Sequence, residues 1–134
     1  MTEQNVIDRI NNTSETKFTL VKDQFSVYDA EESRYIAEIK VRNRFYSNCL
    51  IERPKWKQNL RKAYIKGKDF LYVVVVSPDI YVFNITKLYK KNYDFKWDVR
   101  EMPKNTDFGE SENKIDKAVG MVNIQEAKVI FGSD

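Results

Sequence analysis

Apolar positions in the first third of the chain follow a helical period and then a strand period. The apolar residues of segment 2–11 recur at helical spacing, which predicts a short helix with Thr2 as its N-terminal cap. Alternation over 17–21 and 25–29 predicts two strands. The polar sequence at 30–33 predicts the turn that follows them.

The next predicted strand, over 34–45, carries charged side chains on one face. Side chains alternate between the two faces of a strand. The apolar row is expected to face the core: Tyr35, Ala37, Ile39 and Val41. The other row contains the charged residues: Ile36, Glu38, Lys40 and Arg42. A carboxylate and an ammonium group are therefore expected on one face, about 7 Å apart along the strand.

A basic amphipathic helix is predicted over 54–66. Pro54 suits its first turn, and Gly67 suits its end. The apolar stripe is formed by four residues: Trp56, Leu60, Ala63 and Tyr64. The opposite face is basic, with Lys57, Arg61, Lys62 and Lys66.

The longest apolar run, at 70–76, predicts a strand over 69–76 that is buried on both faces, because its apolar positions are continuous and rich in valine. Segment 79–85 is expected to pair with this strand through a tight turn. Residues 93–99 alternate like a strand. The patterns of 114–122 and 124–130 distinguish poorly between helix and strand.

The order of these elements predicts an α/β fold. A helix, a three-strand meander, a second helix, a central strand and a further strand follow one another along the chain. The second helix can act as a crossover between neighbouring strands, which gives a mixed sheet flanked by helices. At 134 residues, the chain is expected to form a single domain over 1–134.

The missing residue types limit the possible chemistry. The chain has no histidine, and Cys49 is its only cysteine. This excludes a Ser-His-Asp triad, an internal disulfide, and metal sites held by histidine or by several cysteines. A single cysteine favours a cytoplasmic location. Because the longest apolar run is too short to span a bilayer, neither a membrane helix nor a signal peptide nor a membrane partner is expected.

Basic residues cluster in three segments, although the net charge is only +3. The segments are 40–44, 52–68 and 87–91. This clustering favours a polyanionic partner.

The hairpin formed by the predicted strands 25–29 and 34–45 offers a candidate metal site. Hydrolysis of a phosphodiester without histidine needs a cation that neutralises developing charge and lowers the pKa of the attacking water. Asp29 and Glu38 can supply the carboxylates that Mg²⁺ takes in proteins, and the backbone carbonyl of Ile39 can supply a third oxygen. Lys40, beside Glu38, can orient or deprotonate the water or stabilise charge on the phosphate.

This arrangement resembles the PD-(D/E)xK, or restriction-endonuclease-like, nuclease superfamily, and in particular its small phage-type and Holliday-junction-resolvase-like members. The core of that superfamily runs helix, three-strand meander, helix and strand, with an acid-x-lysine element on the third meander strand. The resemblance spans about 1–85, with Asp29 as the first acid and the sequence EIK at 38–40 as the second element. Tyr28 replaces the proline of the motif.

The resemblance implies a DNA-hydrolysing enzyme that requires Mg²⁺ or Mn²⁺. It also implies Glu3, in the first helix, as an additional metal ligand. Five polar side chains are expected to contact nucleic acid: Arg42, Arg44, Lys55, Lys57 and Gln58. The substrate is expected to be duplex or branched DNA, and a homodimer is one way for so small a chain to engage both strands.

The acid-x-lysine pattern also gives a rival site. The pattern occurs five times in the chain, beginning at Glu15, Glu38, Asp94, Glu112 and Glu126. The rival combines Asp79, which follows a proline, with Asp94 and Lys96 on the strand predicted over 93–99. It ranks below the hairpin because no clear helix and central strand follow it.

A second class of function fits the same fold: a non-catalytic domain that binds nucleic acid or a partner protein. The complete set of two acids and a lysine favours the enzyme, because a degenerate relative has no chemical reason to keep all three.

Overall fold

The structure is a computed structural model that describes residues 1–103 and 114–132. Its first helix, α1 (Glu3–Thr13), begins after Thr2, whose hydroxyl accepts a hydrogen bond from the Asn5 amide at 3.1 Å. The apolar residues of α1 are buried: Val6, Ile7 and Ile10. The predicted helix and its cap are confirmed.

A meander of short strands follows α1. Strand β1 (Thr19–Leu20) pairs antiparallel with β2 (Ala30–Glu31), which pairs antiparallel with β3 (Tyr35–Val41). The prediction of a strand over 25–29 and a turn over 30–33 was wrong, because part of the predicted turn forms β2. The position of β2 is set by its pairing with β3 and not by the local apolar pattern. The ladder begins where the Asp29 amide donates to the Ala37 carbonyl at 2.8 Å.

Strand β3 is covered on both faces, whereas the sequence predicted one core-facing row. Ile36, on the charged row, is fully buried. Ala37 and Ile39, on the apolar row, are buried in a separate cluster that includes α1. Val41 is 45% exposed at the end of the strand. The charged row of β3 therefore lies inside the molecule.

Strand β4 (Asn48–Glu52), which was not predicted, leads directly into helix α2 (Arg53–Lys66). Pro54 in the first turn and Gly67 at the C-terminal end, with φ of 67°, confirm the predicted bounds. The predicted apolar stripe was wrong at Tyr64, which is 86% exposed. Asn59 is buried on this helix instead, because its side-chain amide donates to the Val27 carbonyl at 3.0 Å.

The predicted central strand is confirmed as β5 (Asp69–Val76), and its hairpin partner as β6 (Asp79–Asn84). Strands β3 and β5 are parallel, so β4 and α2 form the crossover between them. A helix that was not predicted, α3 (Ile85–Lys90), follows β6.

The last elements are three strands and a short 3₁₀ turn at Ile124–Glu126. The strands are β7 (Asp98–Pro103), β8 (Lys114–Asn123) and β9 (Lys128–Ile130). The strand predicted over 93–99 was wrong for 93–97, which is irregular.

The strands form two sheets. The larger has the order β1-β2-β3-β5-β6-β9, and the smaller has the order β4-β8-β7. Helix α1 packs on one face of the larger sheet, while α2, α3 and the smaller sheet share a core on its other face. The α/β class with a mixed sheet is confirmed. Within the described ranges, no helix has the length and apolar character needed to cross a membrane.

Glu32, in the turn between β2 and β3, is expected to make the free energy of unfolding depend on pH in the acid range. Glu32 accepts hydrogen bonds from the Lys17 and Arg34 amides and from Arg34 Nε, at 3.0 to 3.1 Å. Burial alone would raise the pKa of Glu32, but these bonds and the Arg34 charge lower it below its ordinary value of 4.5. A group with a lowered folded-state pKa stabilises the fold above the unfolded value, and this contribution disappears as the pH falls through the folded value.

Glu32→Gln is therefore expected to lower the free energy of unfolding by about 1.5–3 kcal/mol at pH 7. The deficit relative to wild type should shrink as the pH falls below about 4.5. Urea unfolding at pH 7 and pH 3 measures this change, and Glu15→Gln, at an exposed carboxylate, is the control. A deficit that is the same at both pH values would contradict the charged role of Glu32.

Candidate active site

The carboxylate of Asp29 is fixed to the backbone of β3. Its Oδ2 accepts a hydrogen bond from the Ile39 amide at 2.7 Å. Since this amide lies between residues 38 and 40, the carboxylate extends the β2–β3 ladder beside the predicted acid-x-lysine element. The buried Asn59 holds the Val27 carbonyl just before Asp29. Helix α2 thereby positions the loop that carries the first acid.

Glu38 is buried on a row of large side chains that crosses the sheet. Its register partner on β5 is Tyr72, and the partner of Tyr72 on β6 is Phe83. Glu38 is only 4% exposed, and its Oε1 has no hydrogen-bond partner among the described residues. Its Oε2 lies 3.6 Å from Lys40 Nζ. A buried carboxylate oxygen without a partner is costly unless an ion or a water molecule contacts it.

Burial dominates the electrostatics of this acid and lysine. Burial raises the pKa of Glu38, although the charges of Lys40 and Lys55 act to lower it. Burial also lowers the pKa of Lys40, and Lys55 acts in the same direction, while Glu38 opposes the shift. Both groups are thus shifted toward their neutral forms. Perturbed acids and bases in contact are typical of sites that bind ions or transfer protons.

Two further predicted ligands lie near this pair. The amide and carbonyl of a strand residue point to the same side of the strand, so the Ile39 carbonyl faces the side from which Asp29 approaches. Burial and the charge of Asp29 raise the pKa of Glu3, and the charge of Lys40 acts to lower it. Glu3, on the first turn of α1, therefore lies within electrostatic range of Asp29 and Lys40.

The smaller sheet adds a carboxylate that the sequence analysis missed. Glu52, the last residue of β4, lies 2.8 Å from Lys117 Nζ on β8 and 3.7 Å from Lys55 Nζ on α2. Burial alone would raise the pKa of Glu52, but the hydrogen bond from Lys117 and the nearby lysine charges lower it. Glu38, Lys40 and Glu52 line one small cavity of about 20 Å³. Residues 48–52 show no polar/apolar alternation, so no local signal identifies Glu52, and its position depends on the pairing of β4 with β8.

The predicted nucleic-acid contacts divide into two groups. Arg42 lines the same cavity as Glu38 and Lys40. The charge of Lys55 acts on the pKa of Glu38 and on the pKa of Lys40. Arg44 lies outside this cavity, in the exposed connection from β3 to β4. The other two predicted contacts, Lys57 and Gln58, are exposed on α2 and form no ion pair or side-chain hydrogen bond within the described chain.

The rival residues do not form a comparable cluster. Asp94 and Lys96 are exposed on the irregular segment 93–97, where Asp94 Oδ1 accepts a hydrogen bond from the Lys96 amide at 2.9 Å. Their predicted placement on a strand was wrong. Asp79 instead accepts a hydrogen bond from the Gly132 amide at 3.0 Å.

The remaining acid-x-lysine sequences do not give a better site. Those that begin at Glu15 and Glu126 are exposed. The one that begins at Glu112 lies outside the described residues.

The residues present fit a divalent metal ion. No group of three or more acidic, histidine or cysteine side chains converges within residues 1–103 and 114–132. Mg²⁺, however, is usually bound through one or two carboxylates, with water and phosphate oxygens filling its other positions. Asp29, the Glu38 oxygen without a partner and the Ile39 carbonyl are oxygen donors of the types that Mg²⁺ takes.

Comparison of the chain with protein-family models, with curated proteins and with solved structures gives no match.

Proposed function

We propose that the protein is a metal-dependent nuclease that hydrolyses DNA phosphodiester bonds. The observation that supports this most is the buried Glu38 carboxylate, which contacts Lys40 and leaves one oxygen without a partner. The order α1, β1–β3, α2 and β5 also agrees with the core order of the PD-(D/E)xK superfamily, with β4 as an additional strand before α2.

Asp29, Glu38 and the Ile39 carbonyl would hold Mg²⁺ or Mn²⁺, and Glu3, whose pKa responds to the charges of Asp29 and Lys40, would add negative charge near the ion. The metal would supply charge neutralisation at the phosphate and an acidified water. Lys40 is suited to a role in proton transfer because burial lowers its pKa, which increases the fraction of neutral amine that can accept a proton. When protonated, the same amine stabilises negative charge on the phosphate.

The basic residues around the site would hold the DNA backbone. Arg42 and Lys55 adjoin Glu38 and Lys40, so they are the groups best placed to contact the phosphate that is cut. Lys57 and Arg44 are exposed farther from the cavity and would contact flanking phosphates. Such contacts carry little sequence information, so cleavage that depends on DNA structure more than on sequence is expected.

The wild-type protein is expected to cut labelled DNA in Mg²⁺ or Mn²⁺ and to be inactive in EDTA. The substrate panel is single-stranded, duplex, nicked and four-way-junction DNA, resolved on denaturing gels. Titration calorimetry with Mn²⁺ in the absence of DNA measures metal binding independently of cleavage.

Absence of cleavage of every substrate in the panel would contradict the proposal, whether or not Mn²⁺ binds. It would favour instead a non-catalytic domain that binds nucleic acid or protein.

A further inference from the structure

A pocket opens at the edge of the larger sheet where β3 and β5 end. Its volume is about 320 Å³, within the range of about 300–1,000 Å³ that is common for ligand sites. The parallel pair β3 and β5 ends at this edge, and open α/β sheets typically bind ligands beyond the carboxyl ends of their strands. The connection from β3 to β4, residues 42–47, contributes much of the pocket wall.

The pocket combines apolar walls with exposed aromatic rings. Leu50, Val74 and Met121 contribute apolar surface. Phe45 and Tyr46 also line the pocket, and each is 54% exposed. Aromatic rings that remain this accessible can stack against a planar ligand, and nucleic-acid bases stack on such rings regardless of their sequence.

The charges of the pocket select an anion. Arg42, Arg44 and Arg100 line it, and no acidic residue does so. None of the three forms an ion pair within the described parts of the chain. Guanidinium groups bind phosphate through paired hydrogen bonds. A ligand that is planar and apolar at one end and anionic at the other matches this lining.

The pocket adjoins the small cavity of the candidate active site. Arg42, Leu50 and Met102 line both the pocket and the small cavity that contains Glu38 and Lys40. A DNA strand with one phosphate at Lys40 can therefore place a neighbouring nucleotide in the pocket.

We propose that this pocket binds an unpaired nucleotide of the DNA substrate, with its base stacked on Phe45 and Tyr46 and its phosphate held by the arginines. The inference rests on the proposed function, and it specifies the substrate as DNA with an unpaired or unstacked nucleotide beside the cut. Inside a duplex, both faces of a base are covered by its neighbours, so entry would require the base to be extruded at an energetic cost.

The test measures binding in EDTA, where metal-dependent cleavage is not possible. The probes are a single strand, a fully paired duplex and a duplex with one unpaired nucleotide, each with 2-aminopurine at the corresponding position. The wild-type protein is expected to bind the two unpaired probes more tightly and to quench their fluorescence by stacking.

The double substitution Phe45→Ala/Tyr46→Ala is expected to weaken binding of the unpaired probes by about 5- to 150-fold for each stacked base. Binding of the paired duplex should change little. The matched control is Phe25→Ala/Tyr64→Ala, at two aromatic residues that are 84% and 86% exposed and lie outside the pocket. Thermal unfolding should show that both double variants remain folded, because all four side chains are at least half exposed.

Equal affinity of the wild-type protein for paired and unpaired probes would overturn the inference. So would a Phe45→Ala/Tyr46→Ala variant that binds the unpaired probes with the affinity of the wild-type protein. Cleavage assays in Mg²⁺ distinguish this failure from failure of the proposed function. DNA cleavage without pocket-dependent binding contradicts only the pocket. Pocket-dependent binding without cleavage contradicts only the nuclease, and it identifies a binding domain for unpaired nucleotides.

Discussion

Glu38→Gln is expected to reduce metal-dependent DNA cleavage by about 1,000-fold or more. Metal ions contribute several kcal/mol to the stabilisation of such a transition state, and each 1.4 kcal/mol corresponds to a factor of ten in rate. An amide has the shape of the carboxylate but lacks the charge that retains the ion. Single-turnover cleavage in Mg²⁺ measures the loss, and titration with Mn²⁺ should show weaker metal binding.

Two further variants make this result interpretable. Asp94→Asn removes the acid of the rival site, which is exposed, and should leave the cleavage rate within about twofold of wild type. The double substitution Glu38→Met/Lys40→Met replaces both members of the 3.6 Å pair by apolar side chains of similar size. It should unfold at a urea concentration no lower than wild type, because replacing a buried ion pair by hydrophobic residues of similar volume is often neutral or stabilising. If Asp94→Asn were inactive and Glu38→Gln active, the active site would have to be assigned to segment 93–97 instead.

Phe83→Ala is expected to lower the free energy of unfolding by about 3–5 kcal/mol, the range typical of phenylalanine removed from a core. Phe83 is fully buried, and its ring centroid lies 6.5 Å from that of Tyr72. Tyr72 in turn donates a hydrogen bond to the Leu50 carbonyl on β4 at 2.9 Å. The resulting cavity would lie where the larger sheet packs on the smaller one. Urea unfolding monitored by circular dichroism measures the change.

Phe25→Ala is the matched control for this core substitution, because Phe25 is 84% exposed. It should change the free energy of unfolding by no more than about 0.5 kcal/mol. A loss below about 1 kcal/mol in Phe83→Ala would mean that the two sheets do not share the compact core described above.

Elements with strong local signals were predicted well from the sequence. The bounds of α2 follow from Pro54 and Gly67, whose backbone preferences act within one turn. The continuous apolar run over 70–76 predicts a strand buried on both faces, and β5 has helices on both sides of its sheet. In both elements, the residues that determine the structure lie inside the element or directly at its end.

Elements that depend on distant partners were missed. Strand β4 pairs with β8, more than 60 residues later, with Asn48 opposite Asn123 and Glu52 opposite Val119. No local period indicates that pairing. The two residues of β2 are too few to show any alternation, so the position of β2 depends on hydrogen bonds to β3. Tyr64 looked like a core residue by spacing, but a buried asparagine occupies the helix face that the pattern assigned to apolar side chains.

The candidate site shows the same division. The placement of Glu38 and Lys40 on one face follows from strand alternation alone. The burial of Glu38 does not, because it depends on Tyr72 from β5 and on the smaller sheet. Glu52 and Lys117 come together only because β4 pairs with β8. Sequence reasoning identified the acid and the lysine but not the surroundings that shift their pKa values.

The ends of the larger sheet have a consequence for solubility. Its two outermost strands are the two-residue β1 and the three-residue β9. A long apolar strand with unpaired backbone groups would be a template for association with other chains. Here the valine-rich β5 is enclosed by β3 and β6, and the outermost strands of the larger sheet are too short to form a long template for pairing with a second molecule. The longest apolar run of the chain is thereby kept away from the edges of that sheet.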